Sequence, residues 1–337
     1  MRLKVISIIP VALLLLLIQP LLAWPQRTRP TKPLRGVTGT AQSILWRDPT
    51  DIKTRDLFYG PGSKDRQPQG PLIFIKEDLG GTNPKFSAED ARGVRWKVKL
   101  GIEAQSETAA TRLVWAVGYF TDEDYYLPQV KVEKLPRLRR GQKFVSVDGI
   151  VRGARLERDE KGDKKIGEWD WFDNPFADTR ELNGLRTLMA LINNWDPKKV
   201  NNSIRARQGA DQAYYVGDLG SSFGRTGGMF SRTRNDPDGY ARSPFIRRIK
   251  GDKVDFVFKT RPEFFLLLYP PYYFGRVRLE KVARNIRRSD ARWIGELLKQ
   301  LSPDQIADAF RAAGYTPEQV SAYTRKVSER IGELTKL

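Results

Sequence analysis

With 337 residues, 40% hydrophobic and 11% aromatic, the chain can bury one large core or two smaller ones and is too aromatic to be disordered. It contains no His and no Cys, which excludes Ser-His-Asp triads, imidazole shuttles, His-ligated zinc, thiol nucleophiles, iron–sulfur ligation and disulfides. A formal charge of +19 favours anionic partners (nucleotides, phospholipid surfaces, nucleic acid or acidic polymers), although the cations are spread along the chain as on any basic solvated surface.

Residues 1–23 read as a targeting segment. Met1-Arg2-Leu3-Lys4 is basic, Val5 to Ile18 is almost wholly apolar, and Leu21-Leu22-Ala23 ends on a small residue. The segment is either a signal cleaved near Ala23 or an uncleaved anchor. The expectation is therefore a chain exported to the periplasm or beyond, or anchored to the inner membrane. Residues 24–70, rich in Pro, Arg, Gly and Thr, read as an extended basic tether with one strand around Ser43 to Trp46.

Strand character begins at Pro71 with PLIFIKEDL and breaks at Gly80-Gly81-Thr82-Asn83-Pro84. KFSAEDARGVRWKVKL predicts a hairpin turning at Ala91-Arg92-Gly93. In its return strand Val94, Trp96, Val98 and Leu100 alternate with Arg95, Lys97 and Lys99. Ser106 is the expected cap of a helix ending at Gly118, and YYLPQVKVEKL resumes the sheet. Residues 71–135 thus form a small β-rich lobe. The charged stretch at about 145–170 reads as an exposed hairpin insertion within a larger lobe, 136–337.

In that lobe a helix capped by Thr179 or Asp178 carries Leu182, Leu185, Leu188, Met189 and Ile192, and delivers the chain into Asn193-Asn194-Trp195-Asp196. AYYVGDLG is a strand ending at Asp218. Ser302-Pro303-Asp304-Gln305 and Thr316-Pro317-Glu318-Gln319 are capping boxes opening two carboxyl-terminal helices. The run Phe264 to Phe274 reads as core, with a membrane-facing lip as the lesser reading. Trp169, Trp171, Phe172 and Phe176 read as packing residues, with a sugar or base platform as the lesser reading.

The chemistry concentrates in two strings. Asp196 precedes Asn201 by five positions, and Asp218 opens Asp218-Leu219-Gly220. At average composition about one Asp-x4-Asn pair arises by chance in a chain of this size, and Asp-x-Gly is a common turn. Context adds weight: the pair follows an amphipathic helix, the second Asp ends a strand, and upstream a strand ending in Lys99 leads to a helix with Glu107 near its start.

These strings resemble those of the protein-kinase-like superfamily in its atypical branches, including HipA-type kinases, the spore-coat kinase CotH and the phosphatidylinositol kinases. They are also similar to a widespread bacterial group sharing WKVKLG, NNWD and DLGSSFG. The resemblance spans residues 71–320 and implies a two-lobed α+β kinase-like fold. It implies that Asp196 orients an acceptor hydroxyl and takes its proton. Asn201 and Asp218 would hold magnesium, with manganese as the alternative, against the phosphates of ATP. Lys99 would contact those phosphates and pair with Glu107, with Lys97 as the competing lysine on the same strand face. Gly80, Gly81 and Thr82 would cover the phosphates, without the spaced glycines of ordinary protein kinases. Asn194 stands where a histidine is usual, and the Lys99-to-Glu107 spacing is short.

The expected activity is phosphoryl transfer from nucleotide to an acceptor that is a protein, lipid, sugar or metabolite. One alternative is an exported pseudokinase, or anionic-ligand-binding module, without turnover. Another is a polyanion-binding protein of unrelated fold. An anionic membrane surface is a further expected partner, and no nucleic-acid motif is present.

Overall fold

The computed structural model describes residues 42–159, 164–207 and 211–337. The expected targeting segment and residues 24–41 of the expected tether lie outside them. The described part of the tether is a packed element. It opens with β1 (Ser43–Ile44) and winds through short 3-10 turns, burying Leu45, Ile52 and Leu57 in the main core. Arg55 donates to the carbonyl of Trp115 at 2.6 Å, and Gln305 donates to the carbonyls of Ile52 and Arg55 at 2.9 Å. Three well-spaced aliphatic side chains hold down a polar run that has no periodicity to announce them.

A five-stranded barrel follows. β2 (Leu72–Asp78), β3 (Lys85–Glu89) and β4 (Arg95–Leu100) form an antiparallel meander with the expected turn. Next come α1 (Glu103–Ala116), β5 (Asp124–Glu133) and β6 (Ile150–Arg158), and the barrel closes in the order β2-β3-β4-β6-β5. Alternation fills it: Trp96, Val98 and Leu100 point inward against Leu72, Phe86, Val132, Val151 and Leu156, while Arg95, Lys97 and Lys99 face out.

The strand β6 overturns the expected hairpin insertion. It pairs with both β4 and β5 and buries Val151, Ala154, Arg155 and Leu156. The next strand, β7 (Lys165–Gly167), pairs elsewhere, so the small lobe runs to Arg158 instead of ending at residue 135. High charge misleads here because Arg155 and Glu157 answer opposite charges within the protein.

The larger lobe comprises α2 (Arg180–Leu191), β8 (Asn202–Ala206), β9 (Gln212–Val216), α3 (Pro237–Arg242), β10 (Ile246–Lys250), β11 (Lys253–Phe256), α4 (Phe265–Leu268), α5 (Pro270–Leu279), β12 (Ile286–Arg287), α6 (Arg288–Leu298), α7 (Pro303–Arg311) and α8 (Pro317–Thr335). Thr179 caps α2, and both expected capping boxes form, at Ser302 and at Thr316. Leu185, Leu188, Met189 and Ile192 pack with Ile294, Phe310, Tyr323 and Ile331 in a core that α1 joins through Ala109, Leu113 and Val114. The sheets are β1-β9-β8-β7 and β10-β11-β12. No helix among the described residues is long and apolar enough to cross a membrane.

Trp169 and Trp171 are buried as expected and Phe176 packs against the core, whereas Phe172 is exposed. The run Phe264 to Phe274 is not core: Leu266, Leu267, Leu268, Tyr269 and Phe274 are exposed. Pro270-Pro271 restart the helix, and α5 turns Arg276 into the lobe while Phe274 stays outside. A β-rich lobe joined to a larger, mainly helical one makes the two-lobed α+β layout expected from the sequence.

Candidate active site

Lys99 ends the outward face of β4, where Gly101, at φ +99°, turns the chain directly into α1. The helix therefore starts at Glu103, one turn before the expected cap. Ser106 instead donates to the carbonyl of Gly220 at 2.7 Å, tying α1 to the Asp218-Leu219-Gly220 loop. Gly220 packs against the side chain of Glu103, where a Cβ would come within 2.7 Å of Glu103 Cβ.

The Lys99 ammonium holds three carboxylates. Its Nζ lies 2.8 Å from Glu107 Oε2, 2.6 Å from Asp218 Oδ1 and 3.0 Å from Glu103 Oε2. Burial alone would lower the Lys99 pKa, but the charges of Glu107 and Asp218 outweigh it and hold the ammonium above the ordinary lysine value. For Glu107 burial wins: its carboxyl is raised despite Arg155 and Lys99, and the nearby Asp218 charge adds to the rise. Asp218 lies two residues beyond β9 at φ +50°, a conformation Asp tolerates, with its side chain nearly half exposed.

Glu107 sits on a buried ionic network. Arg155 reaches Glu107 Oε1 at 3.5 Å and Asp124 Oδ2 at 2.8 Å, and Arg112 meets Asp124 Oδ1 at 2.8 Å. This network fixes α1 to β5 and β6, and with it the acid facing Lys99. Arg155, Asp124 and Glu103 all escaped the sequence reading. Glu103 was the most accessible of them, since it lies one helical turn before Glu107.

Asp196 follows α2 and is pinned at both oxygens, Oδ1 by Arg276 of α5 and Oδ2 by Lys198 at 2.9 Å. Burial would raise its pKa, but Arg276 and Lys198 outweigh that and hold the carboxyl below its usual range. Arg276 also donates to the carbonyls of Trp195 and Thr260. Asn201 Nδ2 donates to the Asp196 carbonyl at 2.8 Å, and the Asn201 carbonyl lies against Gly217, where a Cβ would come within 3.0 Å. The two strings singled out in the sequence therefore lie on adjoining loops. Asn201 and Asp218 share the wall of a cavity of about 210 Å³ with Lys97, Asp122, Glu157 and Arg205.

Lys97 lies on the same cavity but its Nζ is directed at Glu157, 2.9 Å away. The Gly80-Gly81-Thr82 loop reaches the cluster through its neighbour Asn83, which donates to Glu103, and Arg140 clamps the carbonyls of Leu79, Gly81 and Thr82. Arg234 pairs with Glu103 and stacks 5.0 Å over the Trp195 ring, bridging the lysine cluster to the Asp196 loop. Among the described residues no group of three or more acids forms a metal cage. The half-open Asp218 carboxylate beside Asn201 suits a hard cation that takes its remaining ligands from phosphate oxygens and water.

No protein-family model matches the chain, and no curated protein sequence matches it. Among solved structures it is similar to a Helicobacter pylori proinflammatory kinase, CtkA, at TM-score 0.46 and 11% identity, over 80% of this chain and 98% of that one. It is also similar to the Golgi casein kinase, at TM-score 0.36 and 10% identity, over 80% of this chain and 73% of that one. The Golgi casein kinase with Mn/ADP bound gives TM-score 0.36 and 11% identity with the same coverages. At these scores the likenesses decide nothing about the site, whose own side-chain geometry has to support any functional reading.

Proposed function

We propose that this protein is a metal- and nucleotide-dependent phosphotransferase of kinase type. The observation that carries the reading is the meeting at Lys99 Nζ of Glu107 from α1 and Asp218 from the loop after β9. Three separate parts of the chain converge to hold one cation next to a half-exposed carboxylate.

In this reading Lys99 turns from Asp218 toward the phosphates when nucleotide enters, with Glu107 and the Arg155 network holding its other side. Asp218 and Asn201 hold the divalent cation, magnesium or manganese, and the Gly80-Gly81-Thr82 loop lies over the phosphates. The bound cation neutralises charge on the phosphoryl oxygens. Asp196 aligns the acceptor hydroxyl and takes its proton as the acceptor oxygen bonds to phosphorus and the bond to the leaving diphosphate breaks. Arg276 and Lys198 keep Asp196 ionised. The acceptor is a hydroxyl of a protein, lipid, sugar or metabolite. The apolar run Val5 to Ile18 supports export or membrane anchoring as the setting.

Titration calorimetry with MgATP and MnATP tests the binding half. Asp218→Ala should abolish metal-dependent binding, whereas Asp196→Ala should bind nucleotide normally and lose turnover by about a hundredfold or more. Wild-type protein that binds neither complex at millimolar nucleotide sinks the proposal. Binding without phosphoryl transfer or hydrolysis under any metal would indicate a binding module instead.

A further inference from the structure

Two apolar stretches meet on the surface of the larger lobe. The amides of Glu263 and Phe264 donate to the carbonyls of Gly228 and Met229, at 3.0 and 3.2 Å, placing Met229-Phe230 beside the run that continues into α4 and α5. Phe230 is 77% exposed, Leu267 86%, Leu268 66% and Phe274 62%. Stacking of Phe264 on Phe265 and of Tyr269 on Tyr272 holds the run in one shape. Exposed apolar residues gathered into one ridge mark a docking site more often than chance surface composition.

The surroundings of the ridge identify what it fits. Alongside Met229 and Phe230 runs a groove of about 650 Å³ that also carries Arg225, Arg242 and Lys259. Its one acid, Asp236, is engaged in capping α3 and accepting from Thr233, and Lys259 pairs with Glu263 at 3.1 Å at the groove's edge. Beyond the ridge, Arg278 and Lys281 are exposed, and residues 264–279 contain no acid. Long aliphatic tips, tyrosines at their base and a cationic border are the arrangement that enters a bilayer's headgroup region. A second copy of the chain would bring the same cations face to face, which disfavours self-association.

We propose that the ridge of Met229-Phe230 and Leu266–Phe274 docks on an anionic lipid surface, its apolar tips entering the acyl boundary and the Arg225–Arg242–Lys259 groove taking headgroup phosphates. This does not depend on phosphoryl transfer, and its readout is lipid contact, so either reading can fail alone.

Because the chain has no cysteine, a single Leu267→Cys carries one environment-sensitive fluorophore in the full-length protein. On phosphatidylcholine vesicles containing phosphatidylserine, its emission should shift to the blue and be quenched by brominated acyl chains. A label at Asp304→Cys on α7 should do neither. Added salt should reverse the shift, and Arg225→Glu with Lys259→Glu should weaken it by roughly tenfold or more. Leu268→Glu, at an exposed position that leaves packing intact, should do the same, roughly tenfold or more. The proposal is overturned if the label at 267 stays in water while the chain sediments with vesicles, because the amino-terminal segment then binds alone. It is equally overturned by an equal shift on uncharged vesicles, or by a shift that follows protein concentration without lipid.

Discussion

Lys99 illustrates how a residue's neighbours set its chemistry. Three carboxylates lie within 3.0 Å of one ammonium, and burial raises the Glu107 carboxyl against the opposing charges of Arg155 and then Lys99. Lys99→Met should therefore lower stability near neutral pH by about 1–3 kcal/mol, reduced from a fully buried pair because Asp218 is half exposed. Glu107 has a folded pKa above its unfolded value, so its protonation favours the folded state, and the penalty for its charge grows as pH rises through that pKa. Chemical denaturation of Lys99→Met and wild type should show the deficit shrinking as pH falls through the range in which Glu107 takes up its proton. Asp196 has the opposite sign: its folded pKa is depressed, so its contribution is present above the unfolded value and lost as pH falls through the folded one. Replacing Arg276 by Gln removes the larger of its two attractive charges. The acid limb of the pH–rate profile should move to higher pH. The lysine was legible in the sequence as the last outward residue of an alternating strand. Glu103 and Arg276 were not, because no local pattern distinguishes a helix-start acid or a helical arginine that reaches across the fold from one that faces water.

Among the elements, α1 carries most of the responsibility for the site. One side packs Ala109, Leu113 and Val114 into the larger lobe, another meets β5 and β6 through Arg112, Asp124 and Arg155, and Ser106 grips the Gly220 carbonyl. Arg155→Met would leave Asp124 and Glu107 short of a cation inside the protein, at a cost of about 3–5 kcal/mol measurable by urea denaturation. Ser106→Ala removes one buried hydrogen bond, about 1 kcal/mol, and should weaken metal-dependent nucleotide binding more than it weakens the fold, since the loop it releases carries Asp218. The strand β6 was hidden in the sequence for a physical reason. Val151 and Leu156 do not hold a strict two-residue alternation, and the arginines and acids between them resemble a solvated hairpin until both flanking strands are known. Helices α2, α7 and α8 were legible to their caps, because Thr179, Ser302 and Thr316 act over three residues and need no tertiary context.

At the scale of the whole molecule the two-lobed layout followed from the order of strand and helix patterns, and its lower boundary did not. Residues 42–70 look like a linker by composition, yet they strap the two ends of the folded region together through Gln305 and the buried Ile52. A chain beginning at residue 71 should consequently lose the burial of Leu45, Ile52 and Leu57, each about 1.5–3 kcal/mol, and melt well below one beginning at residue 42. Differential scanning calorimetry of the two checks this, and equal melting temperatures would return the segment to the status of a tether. The exposed Leu266–Phe274 run was misjudged from the opposite direction, since an apolar run reads as interior unless the fold leaves nothing to cover it.

One consequence of α5 is combinatorial. The helix holds Phe274 on the outside and Arg276, two positions on, against Asp196 on the inside. Each residue turns an α-helix by about 100°, so losing or gaining a single residue between Tyr269 and Phe274 rotates both side chains out of place together. Length variation in that segment is therefore forbidden even where every individual side chain could be exchanged.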